Sequence, residues 1–496
     1  MAFSSDPPVI AAARQIATEF EYPAVDVNRG VKEFLSEMEA GLTSKNSTLS
    51  QIPSYITSVP NGSEKGVYLA IDLGGTNLRV CSVHLNGDST FSIVQSKAVV
   101  PHELMVAKSG SMLFDFIAER IEQFLKEHHE ERYASHVTKQ KPGEVNRKDE
   151  ETFDLGFTFS FPVFQTAINK GSLYRWTKGY DIKEVVGQDV CKFLQDAIDK
   201  RHLPVKVAAL INDTVGTLMA RSYSCHDCSK ALVGAIFGTG TNGAYVEKLD
   251  RIKKLEQEDG NSFDKTTGEM VINTEWGSFD NPLSVLPDTP HDRELDRISN
   301  NPGVQMFEKR VSGMFLGEIL RCAMIHMTKN AGLELCGGPS VIPKTSALYE
   351  NWGIDTKFLS TVEGDTSDDL RDVKQALKAE LAIEHASTDD CRAIKIMTHA
   401  IGRRAARLSA VPLAAIIISS GQLATEDMID IGVDGSLVEF YPGYQGYIRE
   451  AWREIPEIGD AGDKKIQIGI AKDGSGVGAA LGALVASQAE KRQRAQ

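Results

Sequence analysis

An acidic residue directly follows an apolar run near the middle of the chain. The run from Val205 to Ile211 is typical of a buried strand, and Asn212 and Asp213 come immediately after it. Ligands of α/β sheets bind at the carboxyl ends of strands, so a carboxylate here lies where a reaction can occur. Asp213 is therefore a candidate general base. Capping of the next helix by Asn212 or Asp213 explains the same residues equally well.

A glycine-containing loop earlier in the chain has the composition of a phosphate-binding turn. The segment Asp72-Leu73-Gly74-Gly75-Thr76-Asn77 lies between two β-rich runs and lacks the Lys-Ser/Thr pair of a Walker loop. Glycine lets the backbone approach a phosphate and direct amide hydrogens at it. Asp72, at the end of a strand, can hold Mg²⁺ directly or through water. A plain hairpin turn is the alternative.

The unit around this loop occurs twice. Aligning Val67 with Leu232, 165 positions later, gives five identical pairs among the eleven that end at Asn77 and Asn242. One strand-turn-strand unit in each of two lobes is the interpretation that we favour. The second copy contains GxGxxG from Gly238 to Gly243, but strand-like alternation follows it where a dinucleotide fingerprint requires a helix.

A third glycine-rich loop, from Asp473 to Gly478, follows a strand-like run and opens a helical one. A helix N-terminus at this place can face a phosphate or a ribose. Only 18 residues follow Gly478, which is too few for a βαβ unit. The pattern therefore argues against a nicotinamide-dependent enzyme.

Polar side chains suited to hydroxyl recognition are concentrated in residues 155–181, where an apolar strand leads to Ser160 and is followed by Trp176-Thr177-Lys178. Sugar recognition needs several donors and acceptors that converge on hydroxyl groups. A surface loop is the simpler interpretation of Thr177-Lys178 taken alone. The full set of candidates is Ser160, Thr177, Lys178, Asn212, Asn242, Glu275 and Glu308.

The pattern of the whole chain indicates the elements that would position these residues. Helical spacing occurs at 113–128 and 396–409, and in an N-terminal helix that begins after Asp6-Pro7. Residues 205–211 and 414–419 have the pattern of buried strands. This alternation predicts layered α/β lobes.

Composition excludes several classes of protein. The 496 residues carry 54 Lys and Arg against 68 Asp and Glu, a formal charge of −14, which argues against a nucleic-acid partner. Backbone amides and a metal can still hold a nucleotide. The most apolar run, Val411 to Ile418, is far shorter than the roughly 20 residues that a bilayer requires. Seven scattered cysteines favour a reducing compartment, so we expect a cytoplasmic protein.

Seven segments of the chain strongly resemble the hexokinase family, and its fungal glucokinase branch in particular. In chain order they are LAIDLGGTNLRV, LGFTFSFP, WTKGY, INDTVGTLMA, FGTGTNGAY, GVDGSL and KDGSGVGAAL. The resemblance extends from Tyr68 to Ala483, and the length matches a single hexokinase unit. It implies an α/β fold of two actin-like (ribonuclease H-like) lobes, small and large, around a deep cleft.

The resemblance also implies a domain division and site residues. Residues 1–211 would form mainly the small lobe, with the N-terminal helix packed on the large lobe, and residues 212–496 the large lobe, with the C-terminal segment at the cleft. Asp213 corresponds to the catalytic base, and the sugar candidates above correspond to hexose contacts. The corresponding nucleotide positions are Asp72, Leu73, Gly74, Gly75, Thr76, Asn77, Lys97, Thr239, Thr366, Gly435 and Ser436.

The activity implied is ATP- and Mg²⁺-dependent phosphorylation of glucose, and of mannose, at the 6-hydroxyl, the first step of glycolysis, by a monomer or homodimer. Three alternatives stay open: a broader hexokinase that also uses fructose, a sugar sensor with little catalysis, and an actin-like ATPase or chaperone. The intact Asp213 argues against the sensor, and residues 155–181 argue against the ATPase.

Overall fold

A computed structural model describes residues 6–139, 152–225, 231–257, 263–330, 332–471 and 473–495. The strands are β1 Ile52–Pro53, β2 Lys65–Gly74, β3 Asn77–Asn86, β4 Phe91–Val99, β5 Phe153–Phe159, β6 Val163–Ala167, β7 Lys170–Leu173, β8 Val205–Ile211, β9 Val233–Phe237, β10 Thr241–Lys248, β11 Glu269–Asn273, β12 Ile429–Asp434 and β13 Ile466–Ile470.

The α-helices are α1 Pro8–Glu19, α2 Ala24–Thr43, α3 His102–Met105, α4 Gly110–His128, α5 Glu130–Lys139, α6 Val190–Lys200, α7 Asp213–Ser224, α8 Pro290–Ile298, α9 Glu308–Val311, α10 Gly313–Lys329, α11 Thr356–Gly364, α12 Arg371–Leu381, α13 Thr388–Ser420, α14 Gln422–Thr425, α15 Ser436–Phe440, α16 Tyr444–Arg453, α17 Gly459–Lys465 and α18 Gly474–Ala495.

The small lobe is built on a five-stranded sheet in the order β4-β3-β2-β5-β8. The first three strands are antiparallel neighbours, whereas β5 pairs parallel with β2 and with β8. Apolar residues of α4 and α6 bury one face of this sheet in a core of their own. The parallel strands β5 and β8 both end at one edge, which is where Ser160 and Asp213 follow.

The large lobe repeats this arrangement. Its sheet has the order β1-β11-β10-β9-β12-β13, with β9, β10 and β11 antiparallel and with β12 parallel to both β9 and β13. Apart from the short added strand β1, the order and directions match those of the small lobe. The predicted strand-turn-strand repeat is thus the first hairpin of each sheet, and the two-lobed α/β fold is confirmed.

The helix α13 is a central element of the large lobe, and it corrects one sequence-based prediction. Residues 414–419, predicted as a buried strand, form the last turns of this 33-residue helix. Ser387 caps its start, donating to and accepting from Asp390. Residues 404–417 are buried around the whole helix, so the run has no amphipathic pattern. A short apolar run rich in Val and Ile cannot be distinguished from a strand by its period.

The N-terminal helices pack on the large lobe. Both α1 and α2 contact α13. The side-chain Nδ2 of Asn28 on α2 also donates to the backbone carbonyl of Glu454. The predicted cap at Asp6 is wrong, because α1 begins at Pro8 without a side-chain cap and Asp6 forms an ion pair with Arg14 at 3.0 Å.

The helices α7 and α18 cross between the lobes in close contact. A Cβ added at Gly478 would lie 2.1 Å from the Cα of Gly216, so the two backbones touch only because both positions are glycine. A Cβ at Gly156 on β5 would lie 1.9 Å from the carbonyl oxygen of Ala479. The C-terminal helix is thereby fixed against the small-lobe sheet as well as against α7.

No helix in the described ranges combines the length and apolar character needed to cross a bilayer. The free thiols in the part of the chain that the structure describes are buried, at Cys81, Cys191, Cys322, Cys336 and Cys391.

Candidate active site

Asp213 is the first residue of α7 and follows β8 after a single residue. Asn212 is the residue that caps the helix, since its Oδ1 accepts from the Thr214 amide at 2.9 Å. The capping interpretation therefore holds for Asn212, whereas the Asp213 carboxylate accepts only from Thr214 N, at 2.9 Å, among the described residues. Burial raises the pKa of Asp213, Lys178 acts in the opposite direction, and Asp72 raises it further. These charged neighbours come from the small lobe.

On the large-lobe side, Asn242 and Glu275 lie together. The amide of Asn242, at the start of β10, donates to Glu275 Oε1 at 3.2 Å. Glu275 follows β11 and adopts a left-handed conformation with φ 55°, and Asn273 Nδ2 also donates to its Oε1, at 2.8 Å. Burial raises the pKa of Glu275, and the nearby Asp213 adds to this.

Glu308 is a third carboxylate in the same region. It begins α9, and its Oε1 accepts from the amide of Thr241 at 3.2 Å. Burial raises its pKa to about 7, and the negative charges of Glu275 and Asp213 contribute in the same direction. Three carboxylates are thus close enough to influence one another, in a region where hydroxyl donors of a sugar would be favourable partners.

The small-lobe side of this region carries Ser160, Thr177 and Lys178. Ser160 follows β5, and its carbonyl accepts from Lys178 Nζ at 2.9 Å. Lys178 has φ 56°, and the ring of Trp176 beside it stacks on Tyr180 with centroids 5.2 Å apart. Lys178 is exposed and Thr177 half-buried, so Thr177-Lys178 does lie in a surface loop, which the packing of Trp176 and Tyr180 anchors.

The predicted phosphate-binding loop closes the hairpin of β2 and β3. Gly74 pairs with Asn77, which leaves Gly75 and Thr76 as a two-residue turn, and Gly75 has φ 53°. Asp72 precedes the turn, and its Oδ2 accepts from Ser475 Oγ at 2.8 Å and from Arg79 at 3.2 Å. The C-terminal glycine-rich loop is therefore in contact with the end of β2.

Lys97 shares a face of the small-lobe sheet with Asp72. The register places Thr158 opposite Asp72, Asp72 opposite Arg79, and Arg79 opposite Lys97, so the four residues form one row across the strands. Residues directly opposite each other in a sheet point to the same side. Lys97 is exposed at the end of this row, farthest from β5.

Two nucleotide candidates of the large lobe lie at one cavity. Thr239 and Ser436 line a cavity of about 580 Å³ between α10, α11 and α15. Gly435 has φ 113°, and a Cβ there would lie 2.5 Å from the carbonyl of Phe237, so only glycine fits. Thr366 does not line this cavity; it is exposed in the loop after α11.

Comparison with known proteins shows the family of the chain. The hexokinase family model matches in two parts, at residues 12–223 and 232–485. The chain belongs to the hexokinase family. It is 60% identical to the Glucokinase of Aspergillus niger over 98% of both chains, and 41% identical to Glucokinase-1 of Saccharomyces cerevisiae over 96% of this chain and 97% of the relative.

A solved hexokinase has the same fold. The structure of the hexokinase from Schistosoma mansoni complexed with glucose has a TM-score of 0.78 and 33% sequence identity to this chain, over 97% of this chain and 100% of that one. The likeness covers both lobes, so this member of the hexokinase family has the complete two-lobed architecture.

Several residues of this hexokinase-family site were missed from the sequence. Thr356, Lys357 and Ser360 line the cavity beside Thr239, and Asn273 holds Glu275. The signal for Asn273 was present, since it stands two residues before a predicted site carboxylate. Thr356, Lys357 and Ser360 on α11 had no recognisable sequence signal, because they belong to an ordinary amphipathic helix far from any glycine-rich loop.

Proposed function

We propose that this chain transfers the γ-phosphoryl group of ATP to the 6-hydroxyl of glucose, giving glucose 6-phosphate and ADP. The observation that carries the proposal is the position of Asp213, a partly buried carboxylate with a raised pKa between the groups of the two lobes. Family membership and the names of the relatives, Glucokinase and Glucokinase-1, support the same reaction.

The large-lobe carboxylates and amides are suited to hold the sugar. Glu275, Glu308 and the Oδ1 of Asn242 can accept from vicinal hydroxyls, with Ser160, Thr177, Lys178 and Asn212 closing the site from the other side. Their close packing would orient one hydroxyl toward Asp213. Asp213 then accepts the proton of that hydroxyl as its oxygen attacks phosphorus, and its raised pKa makes it a stronger base than an exposed aspartate.

The nucleotide would lie between the two hairpins. Amides of the turn at Gly75 and Thr76 would face its phosphates, and the cavity lined by Thr239, Ser436 and Lys357 would take its base and ribose. No atom lies within 4 Å of a Cβ added at Gly75, so the space beside the turn is open. An acidic protein can in this way bind a polyphosphate without a basic surface.

The residues around Asp72 fit Mg²⁺. Its Oδ1 has no protein partner in the described part of the chain, and the Ser475 hydroxyl lies beside its Oδ2. Carboxylate and hydroxyl oxygens are the ligands that Mg²⁺ prefers. When bound there with ATP, the ion would neutralise charge on the phosphates. Asp72 itself would orient the ion, directly or through water.

Further assignments complete the proposal. The chain would also accept mannose, act in the cytoplasm as a monomer or homodimer, and bind neither nucleic acid nor membranes. Residues 1–211 would form the N-terminal part of the hexokinase unit and residues 212–496 the C-terminal part.

A coupled assay of ADP release tests the reaction. Glucose-dependent ADP release is expected with ATP and Mg²⁺, and Asp213→Asn should lower turnover by at least about 100-fold while glucose affinity changes by less than about threefold. The matched control is Asp196→Asn, which removes a carboxylate from the exposed face of α6. Near-normal turnover of Asp213→Asn would contradict the assigned role.

The same assay separates the alternatives. Hydrolysis that does not depend on sugar would indicate an ATPase, and glucose binding without turnover would indicate a sensor. Fructose and mannose measured beside glucose would show whether the enzyme is a broad hexokinase.

A further inference from the structure

Asn273, the last residue of β11, connects two of the sugar candidates without having been predicted as one of them. Its side chain is buried. Its Oδ1 accepts from Asn242 Nδ2 at 2.8 Å, and its Nδ2 donates to Glu275 Oε1 at 2.8 Å. A single carboxamide thus bridges Asn242 on β10 and Glu275, which follows β11.

Asn242 has its hydrogen-bonding groups directed at the protein. Its two amide hydrogens go to Asn273 and Glu275, and its Oδ1 accepts from the Gly243 amide at 2.8 Å. The Thr274 hydroxyl lies 3.2 Å from this Oδ1, but its single hydrogen has a closer acceptor in the Gly243 carbonyl at 2.8 Å. Both donors of the Asn242 side chain are therefore in use, and one acceptor site of its Oδ1 remains. The carboxylate of this cluster also has free capacity for a hydroxyl, since Glu275 Oε2 accepts no hydrogen bond from the described residues.

The charge on Glu275 depends on these two amides. Glu275 is surrounded by like charges, with Asp213 from α7 and Glu308 from α9 nearby. The hydrogen bonds from Asn273 and Asn242 favour the ionised carboxylate, and of the two the bond from Asn273 has the larger effect on the pKa of Glu275. Without that donor, the carboxylate would lose both its orientation and part of the stabilisation of its charge.

We infer that Asn273 is a positioning residue for hexose binding, which orients Glu275 and Asn242 as one unit. The inference rests on the proposed function only in taking the ligand to be a hexose. Asn273 sets the affinity for the sugar, and the turnover of bound sugar depends on Asp213 instead.

The test is the glucose dissociation constant, measured by calorimetry without ATP, for Asn273→Ala and Asn273→Asp between about pH 5 and about pH 8. Asn273→Ala should weaken binding by about tenfold or more, the loss of one hydrogen bond to a charged group. Its affinity should fall further as the pH decreases, because Glu275 then takes up a proton at a higher pH than in the wild type.

Asn273→Asp should have the opposite pH dependence. At high pH the new carboxylate repels Glu275, whereas at low pH its protonated form donates the hydrogen bond that the amide donated. Binding should therefore strengthen as the pH decreases. A purely structural defect would not produce opposite slopes in the two variants, and either variant alone still tests the inference if the other fails to fold.

Asn28→Ala is the matched control, since it removes a partly buried carboxamide from α2, outside the site. It should leave glucose affinity unchanged. Wild-type affinity in both Asn273 variants, or equal slopes with pH, would overturn the inference. Because binding is measured without ATP, a wild-type chain that binds glucose but transfers no phosphate would contradict the proposed function and leave this test intact.

Discussion

The hairpin of β2 and β3 and the hairpin of β9 and β10 are built on similar sequences but close differently. In the small lobe, Gly74 pairs with Asn77 around a two-residue turn, whereas in the large lobe Phe237 pairs with Thr241 around three residues. The aligned asparagines consequently differ in environment. Asn77 is exposed at the tip of its hairpin, and Asn242 is held among buried partners.

The side chains around the two turns also differ. Asp72 in the small lobe aligns with Phe237 in the large lobe. The carboxylate of Asp72 accepts hydrogen bonds from Arg79 and Ser475. Around the large-lobe turn, the carboxylates of Glu275 and Glu308 are half-buried and hydrogen-bonded to uncharged groups. One repeated unit thus yields an open polar turn suited to phosphates and a shielded carboxylate cluster suited to hydroxyls.

Asp72→Asn should have the largest effect among changes that test this comparison. Loss of the carboxylate should lower turnover by about 100-fold and raise the Mg²⁺ concentration needed for half-maximal rate, because a charge next to the phosphates is removed. Steady-state rates at varied Mg²⁺ measure both. Glucose affinity should stay within about threefold of the wild type, since the residue belongs to the other hairpin. An equal loss of glucose affinity would mean that the hairpins do not have separate roles.

Glu308→Gln tests the half-buried carboxylate of the large lobe through the pH dependence of protein stability. The pKa of Glu308 is about 7 in the folded protein against an ordinary value of 4.5, so the folded state retains a proton that the unfolded chain has released. Its contribution to stability is therefore present at low pH and is lost as the pH rises through about 7. Glutamine does not titrate. The unfolding midpoint of the variant should therefore increase relative to that of the wild type as the pH rises from about 5 to about 8. A constant difference would contradict the raised pKa.

The sequence was sufficient to predict those parts of the fold and site that local patterns encode. The repeat from Val67 and Leu232 predicted two lobes, and the apolar strand before Asn212 placed Asp213 at a sheet edge. Glycine-rich loops predicted the turn at Gly75 and the start of a helix after Asp473. Each of these signals lies within a few consecutive residues.

What the sequence did not reveal depends on contacts between distant segments. Residues 414–417 are buried within their helix, so the hydrophobic period of this run does not distinguish a helix from a strand. Lys357 and Thr239 share a cavity although more than a hundred positions separate them. Thr366, predicted by similarity alone, stands outside that cavity because the loop after α11 carries it away.

Gly240→Ala should have a moderate and specific effect. An alanine Cβ at this position would lie 2.9 Å from Glu308 Oε1, while the backbone does not require a positive φ. The carboxylate must shift, so the KM for glucose should rise about tenfold, equivalent to roughly 1.4 kcal/mol, with little change in the unfolding midpoint. In the Glu308→Gln background the same change should add much less, because the two residues act through one contact. Additive effects would contradict the contact.

Gly75→Ala at the aligned position of the small lobe should have the smallest effect on sugar binding and a measurable one on stability. No atom lies within 4 Å of the added Cβ, but φ is +53°, so the cost is strain of about 1–2 kcal/mol in the turn. Gly75→Asn should cost less, because asparagine tolerates this conformation better than alanine. Denaturant midpoints and glucose affinities of the wild type, Gly75→Ala and Gly75→Asn test this prediction. If Gly75→Ala matched the wild type in stability while weakening glucose binding as Gly240→Ala does, the aligned glycines would share one role, and the division between the two hairpins would be wrong.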